Sequence, residues 1–501
     1  MDDNTIIIIG AGFAGLAAGI YAQQNGYKTQ ILEMHTLPGG LCTAWKRKGY
    51  TIDGCIHWLV GSSPDSPMHR YWEEVGIAQG RTFINAPEYA RYEGADGRTV
   101  ILYADIDRLE AHLLELSPQD AAPIRDFTAG IRLCLALEQP GEGPLGQKVI
   151  QGLKMAWLMV TKGRAMKRYL PTTAADFAER FRDPLLRAVI RDIWYPNFSI
   201  FFMLFTFAYL HERNAGYPIG GSMPMSLAMA ERYAELGGVI HYGRRVEGIL
   251  VENDVAVGVR LADGSEHRAA RVISAADGHA TIFEMLEGRY VDDEIRARYA
   301  TWPVFPPLLL VGVGVARTFD DAPLTVSGFS FPLREPVRIG HTVRERLEVR
   351  LLNQDPTMAP AGKSALTVVL NDDQAYWQAL AEDREAYEAE KTRVADAVIA
   401  GLDQRWPGLA AQVEMVDVAT PLTFERYTGN WQGSFEGWML TPLNASSVMK
   451  PLAQTLPGLR RFHMCGQWVE PGGGLPTAVL SGRRLVKALC KEDGRRFEAH
   501  A

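Results

Sequence analysis

Three glycines near the N-terminus, Gly10, Gly12 and Gly15, stand in G-x-G-x-x-G spacing, and an acid, Glu33, follows 23 residues after the first of them. These residue types at this spacing suit a pyrophosphate and a ribose. Gly10 allows a tight turn from strand to helix, Gly12 leaves the backbone bare for a phosphate, and Gly15 lets helix and strand pack closely. The first N–H groups of the helix, at Phe13 and Ala14, and the positive end of its dipole attract the same anion. Glu33, followed by Met34, sits where an acid accepts ribose hydroxyls. Glycines that served only helix packing would not require the acid in its place.

Two further glycine groups accompany this one. Gly39 and Gly40, followed by Leu41, come just after Glu33, and Gly466, Gly473 and Gly474 precede Leu475, Pro476 and Thr477 near the C-terminus. The paired glycine resembles the second motif of FAD-binding oxidoreductases of the glutathione-reductase-like superfamily. The C-terminal group reads as strand, glycine-rich loop and helix N-terminus. Such a loop can aim backbone N–H groups at the N1–C2=O edge of a flavin ring, where negative charge grows on reduction. FAD is therefore the expected cofactor. Proton-exchanging groups beside these motifs are few. Glu470 lies on the C-terminal loop, and Asp53 and His57 follow the paired glycine. A carboxylate there could take or give a proton while the flavin carries hydride. The alternatives are a loop cap for Asp53 and a hydrogen-bonded core histidine for His57.

Positioning these groups requires particular elements. Residues 6–9 are a short apolar run, the pattern of a strand buried on both faces. A helix with Leu16, Ala17 and Ile20 on one side follows, and residues 27–32 form a second strand. Residues 225–236 read as a helix, and 239–242 and 246–252 as strands, with Val246 beside the cofactor. Residues 255–261 and 266–274 read as hairpin strands around Asp263-Gly264. Residues 272–277, VISAAD, look like a strand returning to the nucleotide domain. The expected fold is α/β, a Rossmann-like FAD domain assembled from 1–66, 216–290 and 446–501. A substrate or cap region of mixed sheet and helices, 67–215 and 291–445, is inserted between them. In that region 67–216 reads as mostly helical, for example 106–116 and 174–187. Residues 308–315 read as a strand and 374–405 as one long amphipathic helix.

Composition bounds the rest. At 501 residues the chain exceeds one simple core, and 47% hydrophobic with 22% charged residues are globular values. A net charge of −7 argues against nucleic acid as partner. The five cysteines are odd in number and include no C-x-x-C, so a reducing cytoplasm fits and no metal site is expected. The acidic N-terminus does not read as a signal peptide. Residues 193–210 carry no charge over 18 positions, interrupted by Pro196, Asn197 and Ser199. A buried helix or the wall of an apolar cavity suits them better than a membrane span, and shallow peripheral membrane contact is the other use. A single complete G-x-G-x-x-G implies no separate NAD(P)H domain. Ser447 and Lys450 have S-x-x-K spacing without its companion motifs, which is chance.

The whole chain resembles the carotenoid desaturase family: bacterial phytoene desaturases, carotenoid isomerases and retinol saturases. The resemblance is strongest at GAGFAGLAAGIYAQQNGYKTQILE, PGGLCTAWKRKGYTIDGCIHW, YPIGGSMPMSLAMAERYAELGGVIHYGRRVEGI, VISAAD and GQWVEPGGGLPTAVLSGRRL. It implies an FAD enzyme acting on carbon–carbon bonds of a long apolar, often polyunsaturated substrate. Two positions depart from the pattern. Leu41 stands where many relatives carry Arg or Lys, and Glu470 where phytoene desaturases often show His. Flavin binding carries over, while desaturation, saturation and cis–trans isomerisation stay open. An amine-oxidase-like flavoprotein and a non-catalytic FAD or lipid carrier are the competing classes.

Overall fold

A computed structural model describes residues 4–136, 167–448 and 450–501. The apolar run becomes the strand Thr5–Ile9, centre of a parallel five-stranded sheet. Its order is Val239–Tyr242, Lys28–Glu33, Thr5–Ile9, Arg271–Ser274, Phe462–Met464. Ile8 pairs with Ile31 on one side and Ile7 with Val272 on the other. Strands from three distant segments thus share one sheet. The order reverses direction at Thr5–Ile9, which leaves a crevice at its carboxyl end, where ligands of such sheets bind.

The helix Phe13–Gln24 is buried on every side from Phe13 to Ala22, not along one stripe as the sequence suggests. It is wedged between the sheet and two helices, Ser222–Glu235 and Leu475–Glu492. Small residues permit this. A Cβ on Gly15 would overlap the Gly10 carbonyl, and one on Gly482 would lie 2.7 Å from the Ala18 nitrogen and 2.8 Å from the Ala14 oxygen.

Beside this sheet stands a three-stranded antiparallel one, Val246–Glu252, Val255–Leu261 and Glu266–Arg268. Its first turn, Asn253-Asp254, has positive φ at both residues, as a two-residue hairpin requires. The stretch 266–274 is therefore two strands, not one. Glu266–Arg268 completes the hairpin sheet, and Arg271–Ser274 joins the parallel one.

The largest sheet has seven strands, in the order Val413–Ala419, Leu308–Val315, Ser364–Asn371, Thr342–Leu351, Thr325–Ile339, Glu88–Glu93, Thr99–Tyr103. The last two overturn the mostly helical reading of 67–216; their alternation with an Asp96-Gly97 turn between is a hairpin pattern. One face is covered by Arg384–Arg405 through Val394, Val398 and Leu402. On the other face Leu308 and Leu310 border a cavity, while Gly312 and Gly314 leave room for Ile52 and Tyr50 of the strand Tyr50–Asp53.

Two long helices of the sequence reading are each two. Pro184 divides 174–187 into Ala174–Ala178 and Pro184–Asp192. Asp383 divides 374–405 into Gln374–Ala381 and Arg384–Arg405, because its carboxylate accepts from the amides of Glu385 and Ala386 and starts a new helix. The uncharged stretch 193–210 forms the helix Ile200–His211. Leu204 and Phe207 join the core beneath it, and Phe198, Phe201, Phe202, Phe205 and Tyr209 line the cavity. No described helix is long and apolar enough to cross a membrane.

Gly482→Ala tests the wedge. Helix propensity alone would stabilise the variant by roughly 0.5–1 kcal/mol, whereas overpacking would cost about 1–3 kcal/mol. We expect a lower melting temperature; a rise would show that the two helices can part without cost.

Candidate active site

One cavity of about 1880 Å³ runs from the carboxyl end of the parallel sheet to the face of the seven-stranded one that carries Leu308 and Leu310. Ordinary small-ligand pockets measure ~300–1,000 Å³, so there is room for a cofactor and a second large molecule. Its walls bring together nearly all the residues singled out from sequence. Gly10, Gly12, Phe13, Ala14, Glu33, Met34 and Val246 line it, with Gly39, Gly40, Leu41, Asp53 and His57. So do Gly466, Glu470, Gly473, Gly474, Leu475, Pro476 and Thr477. Gly15 stays beneath the wall, packed on Gly10.

The first two glycine loops meet backbone to backbone. Gly12 bridges Gly39, whose N–H donates to the Ala11 carbonyl at 2.8 Å. Glu33 holds the loop from the other side. Its Oε2 accepts from the Ala11 amide at 2.6 Å and its Oε1 from the His35 amide at 2.8 Å. Burial pushes its pKa up and these amides pull it back. A carboxylate has about four acceptor sites, so ribose hydroxyls can still be received. Gly12 itself has ordinary extended backbone, and a Cβ there would find no protein atom nearer than the Gly39 oxygen at 4.0 Å. The protein does not exclude a side chain at Gly12. The open cradle, the helix N-terminus and the acid together fit the diphosphate and ribose of FAD.

Asp53 is a clamp. Its Oδ1 accepts from the amides of Cys55 (2.9 Å) and Ile56 (3.1 Å) and from Ser222 Oγ (2.6 Å), and its Oδ2 from the Ser222 amide (2.7 Å). It ties the loop carrying His57 to the start of Ser222–Glu235. With those four bonds it is the loop cap of the two sequence readings, not a free base. His57 faces the cavity at the edge of Trp58. Burial, and then Arg350, hold its pKa well below the usual imidazole range, so the ring is neutral. Arg350 supports this loop by donating to the carbonyls of Ile56 (2.6 Å) and His57 (3.4 Å).

Glu470 borders the cavity, but its Oε1 is 2.7 Å from Arg484 Nη1. Burial raises its pKa, and Arg484 opposes that. Across the loop stands Glu436, which sequence reasoning missed. Its Oε1 accepts from the Gly474 amide at 3.1 Å, and a Cβ on Gly473 would overlap its Oε2. Gly472, Gly473 and Gly474 all have positive φ, so the loop wraps this carboxyl. Burial pushes the Glu436 pKa up to about 8, with the Gly474 amide pulling down. Glu436 is isolated in sequence, and no spacing marks it. Among the described residues no cluster of side chains suits a metal ion.

The profile described as flavin containing amine oxidoreductase matches residues 13–490. The chain belongs to that family. Its cofactor is FAD, and it is an oxidoreductase. It is 25% identical to the chloroplastic prolycopene isomerase of Daucus carota, over 95% of this chain and 78% of that protein. It is also 25% identical to the lycopene-forming phytoene desaturase of a Paracoccus strain, over 98% of both chains. These similarities agree with the resemblance seen in the motifs. Among solved structures, a putrescine oxidase triple mutant superposes with a TM-score of 0.62 at 16% identity, over 98% of this chain and 99% of that one. An oxidoreductase from Methanosarcina mazei gives 0.57 at 17% identity, over 96% and 100%. They share the fold.

Gly12→Val should fold with a melting temperature close to that of wild-type apoprotein yet retain no FAD. Absorbance at flavin wavelengths per protein measures this. Full flavin content in a folded variant would place the diphosphate elsewhere.

Proposed function

We propose that this protein is an FAD-dependent oxidoreductase acting on carbon–carbon bonds of a long polyene, such as a carotenoid or retinoid. The observation that carries the reading is the second half of the cavity. Beyond the C-terminal glycine loop it is walled by Trp58, Trp194, Phe198, Phe202, Phe305 and Phe435. Trp194 stacks on Phe198 with ring centroids 5.5 Å apart, Phe198 meets Phe305 at 5.6 Å, and Phe305 meets Phe435 at 5.1 Å, so the rings form one continuous aromatic wall. Flat, polarizable walls of this kind suit an extended conjugated chain, whose burial is favourable over its whole length. The names of the similar proteins, a prolycopene isomerase and a phytoene desaturase, support the same substrate class.

Bound FAD would supply the two-electron chemistry. The protein's own part is to align the chain, exclude water and manage a proton. Glu436 is the group for that last task. Below about pH 8 its carboxyl is neutral, so an Oε–H can donate a proton at the cavity wall without placing a charge beside an apolar chain. Glu470, paired with Arg484, anchors the loop. His57, neutral, shapes the wall and can share a proton with a neighbour.

The reaction class is tested by anaerobic change in flavin absorbance with a panel of polyenes and of diamines. Response to polyenes alone is expected; response to diamines alone would replace this reading with amine oxidation. Glu436→Gln should keep FAD and lower turnover by about 10²–10⁴. The proton-donating form of Glu436 exists below its raised pKa, so wild-type turnover should fall as pH rises through about 8. The Gln variant should lose that limb. By contrast Glu470→Gln should lower the melting temperature and change turnover little. Full turnover in Glu436→Gln would remove it from the chemistry.

A further inference from the structure

The antiparallel strands Ala44–Arg47 and Tyr50–Asp53 pair Ala44 with Asp53. The same register, carried two residues outward, sets Cys42 opposite Cys55. The Gly54 amide donates to the Thr43 carbonyl at 3.0 Å, so the ladder runs on past the strand ends. Beyond that bond neither cysteine amide reaches across. The Cys42 amide donates to the Gly39 carbonyl at 3.1 Å, and the Cys55 amide to Asp53 Oδ1 at 2.9 Å. The two cysteines thus hold a non-hydrogen-bonded position, where facing Cα atoms stand roughly 4.5 Å apart and side chains come closest. A disulfide takes Cα separations of about 4.4–6.8 Å, so this position can accept one.

The side chains meet as that placement requires. The Cys42 thiol is a hydrogen-bonding neighbour of Cys55 and, ahead of burial, pushes the Cys55 pKa up. Cys42 Sγ in turn donates to the Ser222 carbonyl at 3.8 Å. Both backbones are pinned. Ser226 Oγ donates to the Cys42 carbonyl at 2.6 Å, and Asp53 holds the Cys55 amide. Both cysteines border the cavity, and Cys55 is the more open of the two. Cys465 borders it as well, but its thiol donates elsewhere, to the Ala14 carbonyl at 3.7 Å.

Thiols that served packing alone would have no need to face one another on the wall of a cofactor cavity. Disulfides that form where thiols are otherwise kept reduced are usually transient and catalytic or redox-sensing. We propose that Cys42 and Cys55 are a redox-active pair that closes to a disulfide and exchanges two electrons with the bound FAD. Two S–H bonds break and one S–S bond forms, while both electrons and both protons pass to FAD, which becomes fully reduced. A small dithiol entering the cavity reopens the disulfide at Cys55 by thiol–disulfide exchange and leaves as its own disulfide. The reverse sequence drains electrons from reduced FAD to a small disulfide. The pair thus links FAD to an electron partner without a second nucleotide. It rests on FAD in the cavity and not on the class of substrate.

The test uses the FAD-loaded full-length protein and has two readouts. The first is covalent. Lys46, Arg47 and Lys48 separate the two cysteines, so after oxidation with diamide trypsin should release a peptide pair linked through Cys42 and Cys55, identified by mass spectrometry. The second is spectroscopic. Under anaerobic conditions dithiothreitol should bleach the flavin of wild-type protein. In Cys55→Ser the bleaching should be slower by about a hundredfold or more, because the external dithiol then meets FAD without a tethered relay. Cys42→Ala should slow it equally. Flavin content and melting temperature on each preparation confirm that the variants are folded and loaded; should one of them fail, the other carries the comparison. Absence of the linked peptides would overturn the pair. A linked pair with bleaching as fast in the variants as in wild type, or with no bleaching in wild type, would overturn its exchange with FAD.

Discussion

The structure depends on bare backbone at one point, the carboxyl end of Thr5–Ile9. There Gly12 and Gly39 touch, the Ala11 amide is fixed by Glu33, and Phe13–Gln24 begins. Side chains at these positions would either push the two loops apart or fill the space for a diphosphate. The helix can be buried on all sides only because Gly15 and Gly482 let its neighbours come within contact of its main chain. Packing and cofactor binding are thus two uses of one constraint. Gly15 and Gly482 allow the wedge, and Gly12 and Gly39 leave the phosphate cradle open at its end.

The nucleotide half of the fold was legible in the sequence for that reason. Glycines with a strand before and an acid after have few other uses, and Ile6, Ile7 and Ile8 admit only a buried strand. The other half was less legible because its signals are relational. Glu88–Glu93 and Thr99–Tyr103 lie among helices and become strands by pairing with one another, and Glu88–Glu93 also pairs with Thr325–Ile339, over 230 residues away. That distance is invisible to local periodicity. Breaks at Pro184 and Asp383 were written in the sequence as known helix starters, but the apolar spacing on either side runs on through them. Glu436 could not be found at all without the fold: it matters because Gly473 and Gly474, nearly forty residues on, wrap its carboxyl.

Electrostatics in the cavity follow from burial more than from neighbours. His57 is neutral because desolvation disfavours the imidazolium, and Arg350 adds to it. Glu436 is neutral over most of the physiological range because one amide cannot offset its desolvation. Glu33 and Asp53 are in the same situation but receive two and four hydrogen bonds, which draw them back toward the charged form. Glu436 is wrapped but receives one amide bond, so burial dominates its titration. This distinction, not proximity to a motif, separates Glu436 from Asp53.

The uncharged run 193–210 shows how such a cavity is made. An apolar stretch of that length invites a membrane reading, yet its helix is twelve residues long and has two apolar sides with different neighbours. Leu204 and Phe207 face a permanent core, while Phe202 and Phe205 also line the cavity. A helix amphipathic in the ordinary sense would turn polar residues to that second side, and water would follow. Making both sides apolar keeps the cavity ready for a hydrocarbon chain, and it explains why no charge is tolerated until Glu212.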